Sequence, residues 1–145
     1  MSKTTGPQGP ALGLDLGDAR IGVAISDPAR RVAIPLGTVK VGAPPGEVRA
    51  IADLVREHDV TVVVVGLPLS MSGEAGSRAR RTEAFADALR DAVPVGVELQ
   101  DERLSTVEAE RVLRSAGVTG RGRRAVVDRT AAALILQAWL DAPPS

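Results

Sequence analysis

The sequence predicts an α/β domain with a mixed five-stranded sheet, in which an antiparallel meander comes first and parallel strands follow, with helices on both faces. Three short segments of alternating apolar residues, joined by brief turns, predict the meander. Helical segments then alternate with two further strands, one of them a run of valines, and such crossovers are typical of parallel strands. A chain of 145 residues with 44% apolar and 25% charged residues suits one such domain.

The meander follows a tail, residues 1–10, that is rich in Gly, Pro, Ser and Thr and is expected to be disordered. Its three strands are expected over 11–16, 20–26 and 32–41. Pro35 favours an edge position for the third strand, because proline has no N–H to donate to a second neighbour. The single domain is expected to span 11–141.

The rest of the chain is expected to form helix 47–57, strand 61–67, helix 78–92, strand 95–102, helix 105–117 and helix 125–141. Ser77 is expected to cap the helix that begins at 78. The segment 118–124, which is rich in glycine and arginine, is expected to be a loop.

Composition excludes several kinds of catalytic site. The chain has no cysteine and one histidine, His58, which rules out a thiol nucleophile and makes a histidine-based metal site improbable. Any metal is therefore expected on carboxylates, whose hard oxygens suit Mg²⁺ or Mn²⁺. The sequence shows neither a membrane-spanning apolar stretch nor the apolar core of a signal peptide, so we expect a cytoplasmic protein without membrane contact.

The first strand carries the first candidate site residue, Asp15. Leucines occupy one face of this strand, and Asp15 lies on the other face between Gly13 and Gly17. A carboxylate inside a sheet is costly unless it is paired or binds a metal. The two glycines are expected to leave room for a phosphate or a hydrated cation. The alternative is that Asp15 is a turn residue at the end of its strand.

Two further acidic positions lie far along the chain. Asp101 and Glu102 end the last predicted strand, and Asp128 shares a face of the final helix with Ala132, Ile135 and Trp139. These acidic residues could instead be turn residues and a helix-terminal aspartate. If Asp15, Glu102 and Asp128 converge at the carboxyl ends of the strands, they would bind divalent cations. Two Mg²⁺ ions at such a site can promote phosphodiester hydrolysis.

Arginines are clustered although the net charge is zero. Such clusters are either solvated faces or contacts for a phosphate backbone. With one Phe, one Trp and no Tyr, a nucleic acid would be recognised by shape and backbone and not by base stacking. The candidate nucleic-acid-binding residues are Arg20, Arg78, Arg81, Arg103, Arg121, Arg123 and Arg124.

Four motifs together resemble the YqgF/RuvX family: GLDLG at 13–17 with RIGVA at 20–24, VVGLP at 64–68, DERLST at 101–106, and Val-Asp at 127–128 followed by Ala-Ala at 131–132. The resemblance implies a ribonuclease H-like fold and a divalent-metal nuclease. The acidic positions of the family correspond to Asp15, Glu102 and Asp128, with Asp101 as the alternative to Glu102. A fourth acidic residue found in ribonuclease H-type relatives is replaced by Ala131, so a second metal would be bound weakly.

The function expected from the resemblance is hydrolysis of phosphodiesters in pre-16S ribosomal RNA during maturation of its 5′ end. The family has also been assigned the cutting of Holliday junctions, so branched DNA is the alternative substrate. A non-catalytic factor that binds RNA or the ribosome is an alternative of another class. An actin-like ATPase or kinase is disfavoured, because two domains would be needed to close over the nucleotide. Both a monomer and a homodimer are compatible with the sequence.

Overall fold

The computed structural model describes residues 9–17, 19–42, 46–68, 76–101 and 120–142, and for 120–129 it describes the backbone alone. The elements are β1 (Ala11–Leu16), β2 (Arg20–Ser26), β3 (Ala33–Lys40), α1 (Gly46–Glu57), β4 (Val62–Leu67), α2 (Ser77–Ala92), β5 (Gly96–Asp101) and α3 (Gly120–Asp141). The predicted helix 105–117, Glu102 and Arg103 lie outside the described residues.

The five strands form one sheet in the order β3-β2-β1-β4-β5. Pairing is antiparallel between β1 and β2 and between β2 and β3, and it is parallel between β1 and β4 and between β4 and β5. The predicted mixed sheet, with a meander before the parallel strands, is confirmed. β3 lies at an edge, which explains why Pro35 is tolerated there.

Helices cover both faces of the sheet, as predicted. On one face, α1 and α2 pack on the leucines of β1 and on alternate valines of β4, in the larger apolar cluster. On the other face, which we call the α3 face, α3 packs on Ala11, Ala24, Val62 and Val64. Residues of one strand therefore alternate between two apolar cores. In β1, the even-numbered residues face α1 and α2, and the odd-numbered residues face α3.

Gly9 and Pro10, the two residues before β1, are hydrogen-bonded to other parts of the domain. The N–H of Gly9 donates to the carbonyl of Pro28 at 3.0 Å, and the carbonyl of Pro10 accepts from the N–H of Thr61 at 2.9 Å. These two residues, which the sequence assigned to the tail, are thus joined to the β2–β3 connection and to the segment that precedes β4.

Two local predictions about helix ends are wrong. Gly76, and not Ser77, occupies the N-cap of α2, and no side chain caps this helix. α3 begins at Gly120, so residues 120–124 are helical and not part of a loop. The three arginines in this stretch are good helix formers, and two glycines cost only about 1 kcal/mol each relative to alanine. No helix in the described ranges is long and apolar enough to cross a membrane.

Candidate active site

Asp15 is the fifth residue of β1, the strand at the centre of the sheet. Its exposed fraction is 8%, and every other residue of β1 is buried as well. The parallel pairing of β1 with β4 ends at Leu14 and Val65, one residue before Asp15. In open α/β sheets, ligands bind beside the carboxyl ends of the strands. Asp15 lies at the carboxyl end of β1, where a site is therefore expected.

Gly13 of β1 and Gly17, the residue after β1, do not leave room for a ligand, so the prediction that they would is wrong. A Cβ atom on Gly13 would lie 2.7 Å from Cβ of Leu136 and 3.0 Å from the carbonyl oxygen of Ala132. Gly13 therefore lets α3 approach the sheet. A Cβ atom on Gly17 would lie 2.7 Å from the carbonyl oxygen of Arg20, so Gly17 allows a tight turn.

Two other glycines flank Asp15 from the neighbouring strands β2 and β4. Gly22 of β2 is its direct partner in the antiparallel ladder. On β4, Gly66 is the residue that follows the last pair with β1. Neither neighbouring strand therefore places a side chain beside the Asp15 carboxylate at this level. The sequence does contain glycines in the second and fourth strands. Their alignment with Asp15 is visible only once the strand register is known.

The direction of α3 determines which part of it passes near Asp15. Trp139 packs near the start of β1, because its ring centroid lies 5.6 Å from the guanidinium of Arg30, whose Nε donates to the carbonyl of Gly9 at 3.1 Å. Leu136 and Ala132 lie against Gly13. The helix therefore runs antiparallel to β1, and four more residues toward its N-terminus advance by about 6 Å. Two residues along a strand advance by nearly the same distance, about 7 Å, which leads from Gly13 to Asp15.

Asp128 lies four residues before Ala132 in the same continuous helix. Ala132, Ile135 and Trp139 are buried, as predicted for the face that Asp128 shares with them. Ala131, which is adjacent to Ala132, is fully buried too. The side chain of Asp128 itself is outside the described part of the chain, so its contact with Asp15 stays a prediction.

The end of β5 distinguishes between the two acidic candidates there. Val97 and Leu99 pack in the core formed with α1 and α2, whereas Glu98 contacts Trp139 of α3. By alternation, Asp101 shares the face of Val97 and Leu99, opposite to that of Asp15. Gln100, two residues after Glu98, lies on the α3 face and pairs with Gly66. Asp101, an exposed residue, is therefore poorly placed to share a ligand with Asp15.

Three of the candidate arginines belong to described elements near this end of the sheet. Arg20 is the first residue of β2 and is half-buried, and Arg78 is exposed in the first turn of α2. Arg81 of α2 donates from Nη2 to the carbonyl oxygen of Gly17 at 3.0 Å. These three residues lie on the elements that border the end of β1. Arg103 is outside the described residues, and only the backbone is described for Arg121, Arg123 and Arg124.

Two charged groups at the other end of the sheet, Asp27 and Arg30, have lowered pKa values. The N–H of Val32 donates to the carboxylate of Asp27 and lowers its pKa. Burial lowers the pKa of Arg30, which lies 5.6 Å from the centroid of the Trp139 ring. These groups hold the β2–β3 connection and the C-terminal half of α3 in place. They are separated from Asp15 by the length of β1.

Within the described residues, no three acidic or histidine side chains gather into a group that could bind a metal ion. Of the three predicted carboxylates, only the side chain of Asp15 falls in that part of the chain. Its environment fits a divalent cation, because it offers oxygen donors beside two positions that carry no side chain.

Comparison with known proteins matches residues 9–142 to the model of the family described as "RuvX: Holliday junction resolvase". A protein of Anaeromyxobacter named "Putative pre-16S rRNA nuclease" is 52% identical over 130 residues, which cover 90% of this chain and 95% of the relative. A protein of the same name from Nocardia farcinica is 48% identical over 141 residues, covering 92% and 78%. The structure of RuvC from Thermus thermophilus is similar in fold, with a TM-score of 0.53, 15% identity, and coverage of 94% and 99%.

Proposed function

This chain belongs to the RuvX family, and we propose that it is a metal-dependent endonuclease that hydrolyses phosphodiester bonds at the 5′ end of pre-16S ribosomal RNA. The observation that carries the proposal is the buried carboxylate of Asp15, at the carboxyl end of the central strand, with glycines on both neighbouring strands. The names of close relatives support the substrate. The same proposal places the protein in the cytoplasm, where bacteria process their ribosomal RNA.

Asp15, Glu102 and Asp128 are the residues that would hold Mg²⁺ or Mn²⁺. Strand alternation supports Glu102 over Asp101, because a strand continued by one residue beyond Asp101 returns to the face of Asp15. Helix periodicity supports Asp128, which lies one turn from Ala132 toward the end of β1 that carries Asp15. When bound, the metal would activate a water and stabilise the leaving oxygen of the phosphodiester.

Arginines on two sides of the end of β1 would bind the phosphate backbone of the substrate. Arg20 begins β2, and Arg78 lies in the first turn of α2, so they approach from different elements. Arg103 is proposed for a phosphate contact of the same kind, and Arg121, Arg123 and Arg124 are proposed for more distant contacts along the nucleic acid. Such contacts position the backbone and carry little sequence specificity, in agreement with the scarcity of aromatic residues.

The test is cleavage of a pre-16S 5′ leader by purified protein, with Mg²⁺ and with EDTA. Asp15→Asn is expected to reduce cleavage at least about a thousandfold while RNA binding and folding are retained, because it removes a charge needed at the metal. Asp101→Asn is the matched control. It also removes one negative charge at the carboxyl end of a strand, but on the opposite face of the sheet. We expect this control to keep activity within about threefold of the wild type.

A four-way DNA junction is compared with the leader in the same assay. Cleavage of the junction alone would replace RNA by branched DNA as the substrate. Binding of the leader without metal-dependent cleavage of either substrate would contradict the enzyme and favour a non-catalytic RNA-binding factor. Loss of RNA binding in Asp15→Asn, together with loss of folding, would make Asp15 a structural residue.

A further inference from the structure

We propose that Arg81 is a positioning residue for Asp15, acting through the turn that follows β1, and not a phosphate contact as the sequence suggested. This inference rests on the proposed function, in which Asp15 holds the metal. It assigns to α2, a helix on the face opposite to α3, a part in fixing the geometry of the site.

The turn after β1 is held at both polar groups of Gly17. Its N–H donates to the carbonyl of Arg20 at 2.9 Å, which closes the turn. Its carbonyl oxygen accepts from Nη2 of Arg81 at 3.0 Å. The turn has no space for a Cβ atom on Gly17, since that atom would lie 2.7 Å from the carbonyl of Arg20. The position of the Gly17 carbonyl is therefore set by β2 and α2 together.

The last residues of β1 need such support because the strand loses one neighbour there. Pairing with β4 ends at Leu14, whereas pairing with β2 continues through Asp15 to Leu16. From Asp15 onward, β2 is thus the one strand that forms a ladder with β1 in the described sheet. Arg81 approaches from α2 and joins the end of β1 to the helix that follows β4 in the chain.

A guanidinium group that donates to a main-chain carbonyl acts on the backbone and does not need to touch the substrate. Asp15 lies two residues before the accepting carbonyl. A displacement of about 1 Å at a reacting centre is enough to lower rates by up to about a hundredfold. Loss of the Arg81 contact should therefore reduce kcat, whereas loss of a phosphate contact should raise KM and weaken the salt dependence of binding.

The experiment compares Arg81→Met with Arg80→Met, which removes the same charge from the adjacent position of α2. For Arg81→Met we expect kcat on the pre-16S leader to fall about tenfold, with KM within about twofold and an unchanged salt slope. Arg80→Met is expected to leave kcat unchanged. Arg81→Lys, which keeps a donor, is expected to recover most of the lost kcat. An increase in KM with unchanged kcat, and a salt slope lowered by about one, would show that Arg81 binds phosphate.

Amide hydrogen exchange tests the inference without using activity. The N–H of Gly17 should exchange about tenfold faster in Arg81→Met than in the wild type, because the turn that protects it is released, and Arg80→Met should leave it unchanged. If the wild type cleaves no substrate but Gly17 exchange responds as expected, the proposed function fails and the structural part of the inference stands. If exchange is unchanged in Arg81→Met, the positioning role is refuted whatever the activity.

Discussion

The four glycines around Asp15 have different physical roles. Gly13 allows the approach of α3, Gly17 allows a tight turn, and Gly22 and Gly66 keep neighbouring side chains away from the carboxylate. The sequence shows Gly13, Asp15 and Gly17 at alternating positions, with leucines between them. It does not show that Leu136, which lies far along the chain, fills the space at Gly13. The local pattern therefore made Asp15 a candidate, but it did not identify what fills the space at Gly13.

Gly13→Ala tests this distinction. Because the new Cβ would lie 2.7 Å from Cβ of Leu136, α3 must shift, and we expect the free energy of unfolding to fall by about 1–3 kcal/mol in urea denaturation. Gly37→Ala on β3 is the control, since a Cβ atom added there would have no other atom within 4 Å. The control should change stability by no more than about 0.5 kcal/mol. Equal stability of the two variants would contradict the packing role of Gly13.

α3 is joined by polar contacts to both edges of the sheet. Oε1 of Gln137 accepts from the N–H of Ala33 at 2.9 Å, and its Nε2 donates to the carbonyl of Arg31 at 3.1 Å. Trp139 donates to Glu98 of β5. Two residues that are close together on the helix thus contact β3 and β5, the first and last strands of the sheet. These contacts fix the direction of α3 and therefore the position of the turn that contains Asp128.

Gln137→Ala is expected to lower the free energy of unfolding by about 1–2 kcal/mol, because it leaves the N–H of Ala33 and the carbonyl of Arg31 without this partner. Asp141→Asn is the control. It alters the exposed contact between Nε2 of Gln137 and Asp141, at 3.0 Å, and should change stability by no more than about 0.5 kcal/mol. Chemical denaturation measures both variants. A Gln137→Ala protein as stable as the control would show that apolar packing alone fixes the helix.

The bounds of a strand could be predicted where an apolar side-chain pattern begins and ends with the strand. Alternation of apolar residues predicted β1 and β2 with the observed bounds, and the valine run predicted β4 to within one residue. The start of α3 was not predictable, because glycines at 120 and 122 resemble a loop until the continuous backbone hydrogen bonds of the helix are seen. Ser77 has the side chain of a typical cap, but the helix begins one residue earlier than expected and includes it.

At the scale of the whole molecule, strand order makes convergence of distant acidic residues physically reasonable. The order β3-β2-β1-β4-β5 puts the ends of β1 and β5 on either side of β4, about 10 Å apart. α3 crosses the sheet above β1 with its N-terminal half toward Asp15. The alternation of helices and strands predicted the mixed sheet with helices on both faces, but it left the strand order open. The register of β1, β4 and β5, which the sequence pattern does not provide, shows that Asp101 and Asp15 lie on opposite faces of the sheet.

The most direct test of the central claim, that Asp15, Glu102 and Asp128 share one metal site, is the stabilisation of the protein by Mg²⁺. A ligand at about one hundred times its Kd raises the free energy of unfolding by about 2.7 kcal/mol, which thermal denaturation detects. At a Mg²⁺ concentration that gives this gain in the wild type, we predict that Asp15→Asn, Glu102→Gln and Asp128→Asn each lose most of it, whereas Asp101→Asn keeps it. If Mg²⁺ stabilises Glu102→Gln or Asp128→Asn as much as it stabilises the wild type, the three carboxylates do not share one site.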